Sequence, residues 1–375
     1  MSFHRQKVVS LNGINSNLHV LRNFTKKRIF PVLKGNAYGH GLSEVGKRID
    51  LDDGEILCTA TLDEALALKL SRPKARILFW LFSSVNELEC AILNEIEISI
   101  GSMNQLEKVQ LISQYFERPI RLHIEIDCGL NRGGFKILEI NDLVKVFSRL
   151  KKVKNLSVCG VWAHVSNPTY ASQERSKCEI AVFSNLLDLL EQGAFMDLAG
   201  LDFHLGGSGI LGLVDDPRVN SMRVGLSLYG YSYSVEKRNQ LAKELKICMD
   251  FSGKILFIKQ ARAGEFVGYS GVSLNSDRQL AVVGFGYGDG ILKNAFSGLL
   301  VRNVDHEHLI LNDPAMDQIH IDITGCNKCH QGDWISIFGP GEIQGYGLNY
   351  VWRNKFIPNE ILSVIGSRVN PVYRD

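Results

Sequence analysis

The chain has 375 residues and a formal net charge of +2, with 45% hydrophobic and 22% charged residues. These are ordinary values for a globular protein too long for one small core, so two domains are expected. So small a net charge gives no electrostatic case for nucleic acid or a membrane surface as partner.

The N-terminus, MSFHRQKVVSLNGINSNL, lacks the apolar core of a signal peptide. No run approaches the roughly 20 apolar residues of a membrane span. Cys58, Cys90, Cys159 and Cys248 lie inside apolar runs, which suits reduced thiols and a cytoplasmic location.

In chain order, short apolar stretches alternate with amphipathic ones. Strands are predicted at Ile29–Leu33, Glu55–Thr59, Arg76–Leu81, Glu97–Ile100, Ile120–Ile126, Leu156–His164, Gly200–His204 and Arg223–Leu228. Helices are predicted between them at Thr61–Lys69, Val85–Leu93, Met103–Tyr115, Ile140–Leu150 and Glu174–Leu190. Thr61 with Glu64 reads as a capping box and Ser102 as a cap. Eight strands alternating with helices favour a (β/α)8 barrel over an open doubly wound sheet, with residues 12–235 as its span.

Beyond residue 235 the rhythm becomes strand and turn. Strands are predicted at Leu256–Gln260, Leu280–Gly284, Leu299–Val304, His308–Leu311, Gln318–Ile323 and Trp334–Phe338, punctuated by GYGDG, GCNKCHQGD and FGPGE. Residues 236–375, joined by 1–11, are therefore expected to form a β-rich domain with one helix at Pro358–Ile365.

Cys326-Asn-Lys-Cys329-His330 has the spacing of a haem attachment motif. Attachment of that kind requires export, and a zinc site would need a further ligand, with His306, His308 and His320 near in sequence. The favoured reading is a polar loop between strands, with no metal expected.

Barrels of this kind place reactive groups at the C-terminal ends of their strands. Lys34, Arg132, His164, His204, Ser208, Arg223 and Gly225 fall at or beside predicted ends. A lysine there is partly desolvated, which lowers its pKa and frees the amine as a nucleophile toward a carbonyl. Pyridoxal phosphate is the commonest such carbonyl cofactor, and Gly206, Gly207, Ser208, Gly209 and the backbone at Gly225 offer a phosphate cradle. A substrate carbonyl, as in an aldolase, would use the same lysine, so the residues alone stop at a Schiff-base lysine barrel.

VLKGNAYGHG resembles the cofactor-lysine motif of the alanine racemases, and the likeness continues in order through IDCGLNRGGF, MRVGLSLYGY, GEFVGYSGVSL, GFGYGDG and AMDQIHIDIT. The resemblance implies that Lys34 carries pyridoxal 5'-phosphate and acts as one base, with Tyr269 as the second. It implies that Tyr38, Ser208, Gly225 and Leu226 bind the phosphate, and that Arg223 faces the pyridine nitrogen. His164 would lie beside Arg223 and near Tyr269. Arg132 would touch the cofactor phenol oxygen and the substrate carboxylate. Met316 would offer its backbone to the substrate carboxylate, with Asp317 close by, and Tyr287 would line the entrance. Tyr269 and Met316 would cross to the partner's site in a homodimer. The reaction implied interconverts L- and D-alanine, supplying D-alanine for peptidoglycan. A broader racemase acting on serine, a non-catalytic pyridoxal phosphate barrel and a decarboxylase of related fold remain alternatives.

Three positions depart from the family pattern. Glu125 stands where many members carry a carbamylated lysine, and is expected to orient Arg132 from a carboxylate roughly 3–4 Å nearer the backbone, with water bridging. Ser367 stands where a tyrosine often narrows the entrance, and Asp313 where an arginine is common.

Overall fold

The computed structural model describes residues 4–136, 140–166, 172–193, 197–232, 238–269, 271–296, 298–303, 306–340 and 357–375. Contacts divide the chain into two units: Asn15–Ala37 with Leu42–Leu245, and Met1–Ile14 with Tyr38–Gly41 and Lys246–Asp375. The boundary expected between residues 235 and 236 lies outside the described residues. Among the described residues no helix is long and apolar enough to cross a membrane.

The first strand, β1 (Arg5–Ser10), belongs to the second unit, and the eight that follow build the first. They are β2 (Arg28–Pro31), β3 (Leu57–Thr59), β4 (Ile77–Phe79), β5 (Glu97–Ile100), β6 (Ile120–Ile126), β7 (Leu156–His164), β8 (Asp202–Gly206) and β9 (Ser221–Val224). All pair in parallel, in the order β2-β9-β8-β7-β6-β5-β4-β3. A parallel bridge between Val32 and Cys58, with Leu33 N donating to Cys58 O at 2.8 Å, brings the two ends together into a nearly closed barrel.

Every residue of β3, β4, β5, β8 and β9 is buried. Parallel strands covered on both faces are buried throughout; LCT and ILF read as apolar runs, whereas EISI, DFHLG and SMRV alternate apolar with buried polar residues. Ser102 caps its helix by accepting from Gln105 N at 3.2 Å. Glu64 accepts from Thr61 N at 3.4 Å, one arm of the capping box.

Two of the barrel strands are displaced from their predicted positions. The seventh lies at Asp202–Gly206 and not at Gly200–His204. The eighth lies at Ser221–Val224 and not at Arg223–Leu228, because the chain leaves the sheet at Gly225 into a 3-10 turn over Leu226–Tyr229. The apolar LSLY that read as strand is thus a buried turn, and His204 and Arg223 sit within strands.

The second unit adds β10 (Met249–Ala261), β11 (Phe266–Val267), β12 (Val272–Ser273), β13 (Arg278–Val283), β14 (Leu300–Asn303), β15 (His306–Leu309), β16 (Ile319–Asp322), β17 (Trp334–Phe338) and β18 (Asn370–Arg374). The long β10 pairs antiparallel with β1, β13 and β17 and is bulged between Ile255 and Phe257, so one strand serves two parts of the sheet. Phe251 packs its ring 5.6 Å from Phe285 and 5.3 Å from Phe338. A helix at Pro358–Ser363 precedes β18, which pairs in parallel with β1. The predicted strand end at Val304 lies outside the described residues.

Candidate active site

At the C-terminal end of β2 the chain turns left-handed immediately after Lys34. Gly35 (φ 62°, ψ 46°), Asn36 (φ 55°, ψ 46°) and Ala37 (φ 55°, ψ 49°) are left-handed, and Tyr38 follows at φ 50°. Only glycine adopts this region freely; each other residue costs roughly 1–2 kcal/mol. Three bonds hold the turn: Gly35 N donates to Glu64 Oε1 at 2.6 Å, Ala37 N to Leu33 O at 2.7 Å and Leu42 N to Asn36 Oδ1 at 2.8 Å. Glu64 therefore caps a helix and anchors the lysine loop with one carboxylate.

The Lys34 ammonium lies 5.8 Å from the centre of the Trp80 ring. Burial, then the nearby Arg132, lower its pKa, with Glu64 opposing and Arg223 adding to the fall. An amine so placed spends more of its time unprotonated and nucleophilic.

Arg223, from the middle of β9, is fully enclosed. Its guanidinium stacks 3.9 Å from the Trp162 ring centre, donates from Nη2 to Ala163 O at 2.8 Å, and donates from Nη1 to His204 Nδ1 at 2.8 Å. Burial pushes it down to about 9, which leaves it charged at neutral pH. Gly206 makes room for it: a Cβ there would stand 2.1 Å from Arg223 Nη2 and 2.8 Å from His164 Nδ1. The same measurement shows that Arg223 and His164 converge on one point. Burial, then Arg132, Arg223 and Lys34, drive the His164 pKa well below its ordinary value, so the imidazole is neutral.

The contacts beneath Arg223 fix the proton positions of two further histidines. Arginine can only donate, so His204 Nδ1 accepts and its proton is on Nε2. That nitrogen meets His123 Nδ1 at 2.9 Å, which must accept, leaving His123 Nε2–H to donate to Glu97 Oε2 at 2.7 Å. Glu97 and Asp202 then receive Arg76, at 2.7 Å and 3.1 Å, and Arg28 reaches Asp202 at 2.7 Å. A one-way donor chain runs from Arg223 to the acidic groups at the N-terminal ends of β5 and β8. None of His123, Glu97 and Arg76 stood out in sequence as functional, because each lies in an unremarkable strand and only barrel closure joins them.

On the phosphate side, Gly207 (φ 124°) ends β8 and leads into a 3-10 turn over Ser208–Ile210. Ser208 Oγ accepts from Ser227 N at 3.2 Å, tying this turn to the one that begins at Leu226. Ser208, Gly225 and Leu226 are thus gathered where two turns meet. Glu125 Oε1 lies 3.6 Å from Arg132 Nη2, an ion pair at a distance too long for a good hydrogen bond. Burial raises the Glu125 carboxyl above its usual range, against the pull of Arg132 and Arg223.

The barrel unit thus gathers Lys34, Glu125, Arg132, His164, Ser208, Arg223, Gly225 and Leu226. Tyr38, Tyr269, Tyr287, Asp313, Met316, Asp317 and Ser367 belong to the second unit. Tyr38 is buried there. Tyr287 N donates to Ala315 O and Gly288 N to Met316 O, both at 2.9 Å, which sets Tyr287 beside Met316. Asp317 is bound by Arg368, which also reaches Asp289 at 3.3 Å. Ser367 is exposed and Asp313 half-buried. Tyr269 follows Gly268 on the turn between β11 and β12, and is 95% exposed.

These residues suit pyridoxal phosphate: an amine of lowered basicity, a glycine-permitted turn pair for a phosphate, and a guanidinium held rigidly between a tryptophan and a histidine. A barrel with this lysine, followed by a β-rich domain, is the architecture of a pyridoxal phosphate-dependent enzyme. The model of the alanine racemase N-terminal domain matches residues 9–233, and that of the alanine racemase C-terminal domain matches 248–373. The chain belongs to the alanine racemase family. It is 30% identical to the alanine racemase of Salinispora tropica over 89% of this chain and 88% of that one. The alanine racemase structure from Streptomyces coelicolor superposes with a TM-score of 0.89 at 26% identity, covering 100% of this chain and 98% of that one. An alanine racemase from Bartonella henselae with covalently bound pyridoxal phosphate shares the fold at TM-score 0.85 and 23% identity, over 99% of each chain.

Proposed function

We propose that the chain interconverts L- and D-alanine with two bases, Lys34 on one face of the substrate and Tyr269 of a second copy on the other. The observation that carries this reading is the convergence of the Lys34 amine, neutral His164 and the fixed guanidinium of Arg223 at one barrel mouth.

Pyridoxal phosphate, when bound, supplies the electron sink that acidifies the substrate Cα–H. Lys34 would hold it, Ser208, Gly225, Leu226 and Tyr38 would take its phosphate, and Arg223 would face its ring nitrogen. A guanidinium keeps its own protons, so that nitrogen stays unprotonated. Arg132, steadied by Glu125, would pair with the substrate carboxylate, the backbone of Met316 beside Asp317 would meet the same carboxylate, and Tyr287 would line the way in. Lys34 takes or gives the Cα proton on one side and the Tyr269 phenol on the other. A phenol has an ordinary pKa of about 10 and needs cationic help to act as a base; Arg223 supplies it through His164.

A large aromatic side chain left 95% exposed suits a surface covered by another subunit. Tyr269 and Met316 would cross to the partner's site, making a homodimer the catalytic unit. A cytoplasmic enzyme supplying D-alanine for peptidoglycan is the role that follows. Serine at position 367, where a tyrosine is usual, favours a wider entrance and a secondary activity on serine.

Chiral chromatography of L-alanine and L-serine incubations tests this reading. D-alanine should form with the native protein and not with Tyr269→Phe, which should keep the cofactor's colour. Undiminished inversion by Tyr269→Phe would remove the phenol from the mechanism.

A further inference from the structure

We propose that the second unit carries a metal site of its own, binding a thiophilic divalent cation through Cys326, Cys329 and His308, with zinc the best match by ligand type. The three ligand atoms lie within 4.8 Å of one another. Cys326 Sγ is 3.2 Å from Cys329 Sγ, and Cys329 Sγ is 3.4 Å from His308 Nε2. Around a tetrahedral zinc, bond lengths of about 2.3 Å to sulfur and about 2.0 Å to nitrogen put two sulfurs about 3.8 Å apart and sulfur about 3.5 Å from nitrogen. The two measured separations, 3.2 Å and 3.4 Å, lie within an ångström of those values.

The sequence spaces the two cysteines as Cys-x-x-Cys, and the fold bends them onto one point. Cys326 N donates to Ile323 O at 2.9 Å, and Gly325 takes φ 81°, closing a tight turn directly after β16. His308 comes from β15, whose pairing with β14 sets Val301 opposite it. Asn303 at the end of β14 donates Nδ2 to Cys329 Sγ at 3.5 Å, a bond that stabilises negative charge on sulfur.

The tautomer of His308 is the decisive feature. Its Nδ1 faces the Asp322 carbonyl at 3.1 Å. A carbonyl only accepts, so the proton is on Nδ1 and the lone pair on Nε2 points at the two sulfurs. A metal-ligating histidine is held this way by a backbone carbonyl on its far nitrogen.

His330, adjacent to Cys329, turns instead to Asp333 at 3.5 Å, so the haem-like reading of the motif does not use the histidine that fits. The true partner lies a strand and a turn upstream, which is why a polar loop was the better reading from sequence. On binding, each thiol gives its proton to solvent, and two thiolates neutralise the cation. The fourth position goes to solvent or to His306, whose ring stacks on His308 with centroids 6.5 Å apart. Such a site ties the β14–β15 hairpin to the turn after β16.

The test uses untagged, full-length protein, reduced, loaded with zinc and then desalted. One zinc per chain is expected, with none retained by Cys326→Ser/Cys329→Ser. Cobalt in place of zinc should give the sulfur-to-metal charge-transfer band and the intense visible bands of a tetrahedral thiolate site. This second measurement needs no variant, so a misfolded double mutant would leave the answer intact. His308→Gln should weaken the cobalt spectrum and release metal to a chelator. Substoichiometric zinc in the native protein, a cobalt spectrum without charge transfer, or equal zinc in the double variant would overturn the site.

Discussion

Arg223 shows how much one side chain depends on its surroundings. It lies against Trp162, is anchored by His204, and is admitted by the missing side chain of Gly206. His204→Leu removes a hydrogen bond to a charged group, worth about 1.5–3 kcal/mol. The expected outcome is a ten- to hundredfold loss in kcat with cofactor still bound, measured by racemisation of alanine against absorbance of the holoenzyme. Gly206→Ala places a methyl 2.1 Å from the guanidinium and should be worse. Ser367→Tyr should restore a narrow entrance and raise the ratio of alanine to serine turnover, read from kcat/KM on each. Lys34, Arg132, His164 and Ser208 were legible because each is a reactive or small residue where a predicted strand stops. His123 and Glu97 were not, since their meaning is a hydrogen bond across the barrel, and nothing local marks it.

Among elements, the ends of the strands divide the work. The C-terminal ends carry the reactive groups, and the N-terminal ends of β5 and β8 carry Glu97 and Asp202, which receive Arg76 and Arg28. Burial alone would raise the Glu97 carboxyl, but the His123 donor and then Arg76 bring it down to about 2. A carboxyl whose folded pKa is depressed stabilises the fold above its unfolded pKa and loses that contribution as pH falls through the folded value. Acid unfolding should therefore contain a Glu97 component between about pH 4.5 and pH 2, on the order of 3 kcal/mol. Stability curves of Glu97→Gln against pH should be flatter in that window; an unchanged slope would show that Glu97 is not the titrating group. The left-handed turn after β2 makes a separate prediction. Asn36→Ala loses both a residue tolerant of that region and the bond to Leu42 N, and should lower stability by about 1–2 kcal/mol in denaturant melts. Strands β5, β6 and β7 stand where their apolar runs predicted them. Strands β1 and β18 were invisible because RQKVVS and NPVYR are short and largely polar, and become strands only by pairing with each other and with β10.

For the molecule as a whole, the barrel supplies an amine, an anchored guanidinium and a neutral histidine, and the β-rich unit presents Tyr269 on an exposed turn. The succession of a barrel and a β-rich unit was readable from the change of rhythm near residue 235, because helices between parallel strands and Gly-Asp turns between antiparallel ones leave different spacings. Assembly was not readable from rhythm, since an exposed tyrosine looks the same in sequence whether or not a partner covers it. Mixing two inactive chains gives the most direct test of the shared site. Lys34→Ala keeps Tyr269, and Tyr269→Phe keeps Lys34. A hybrid dimer has one site with both native groups, so co-expression should restore about a quarter of native racemisation if dimers form at random. No activity above the separate variants, with hybrids demonstrated by mass, would contradict a site built from two chains.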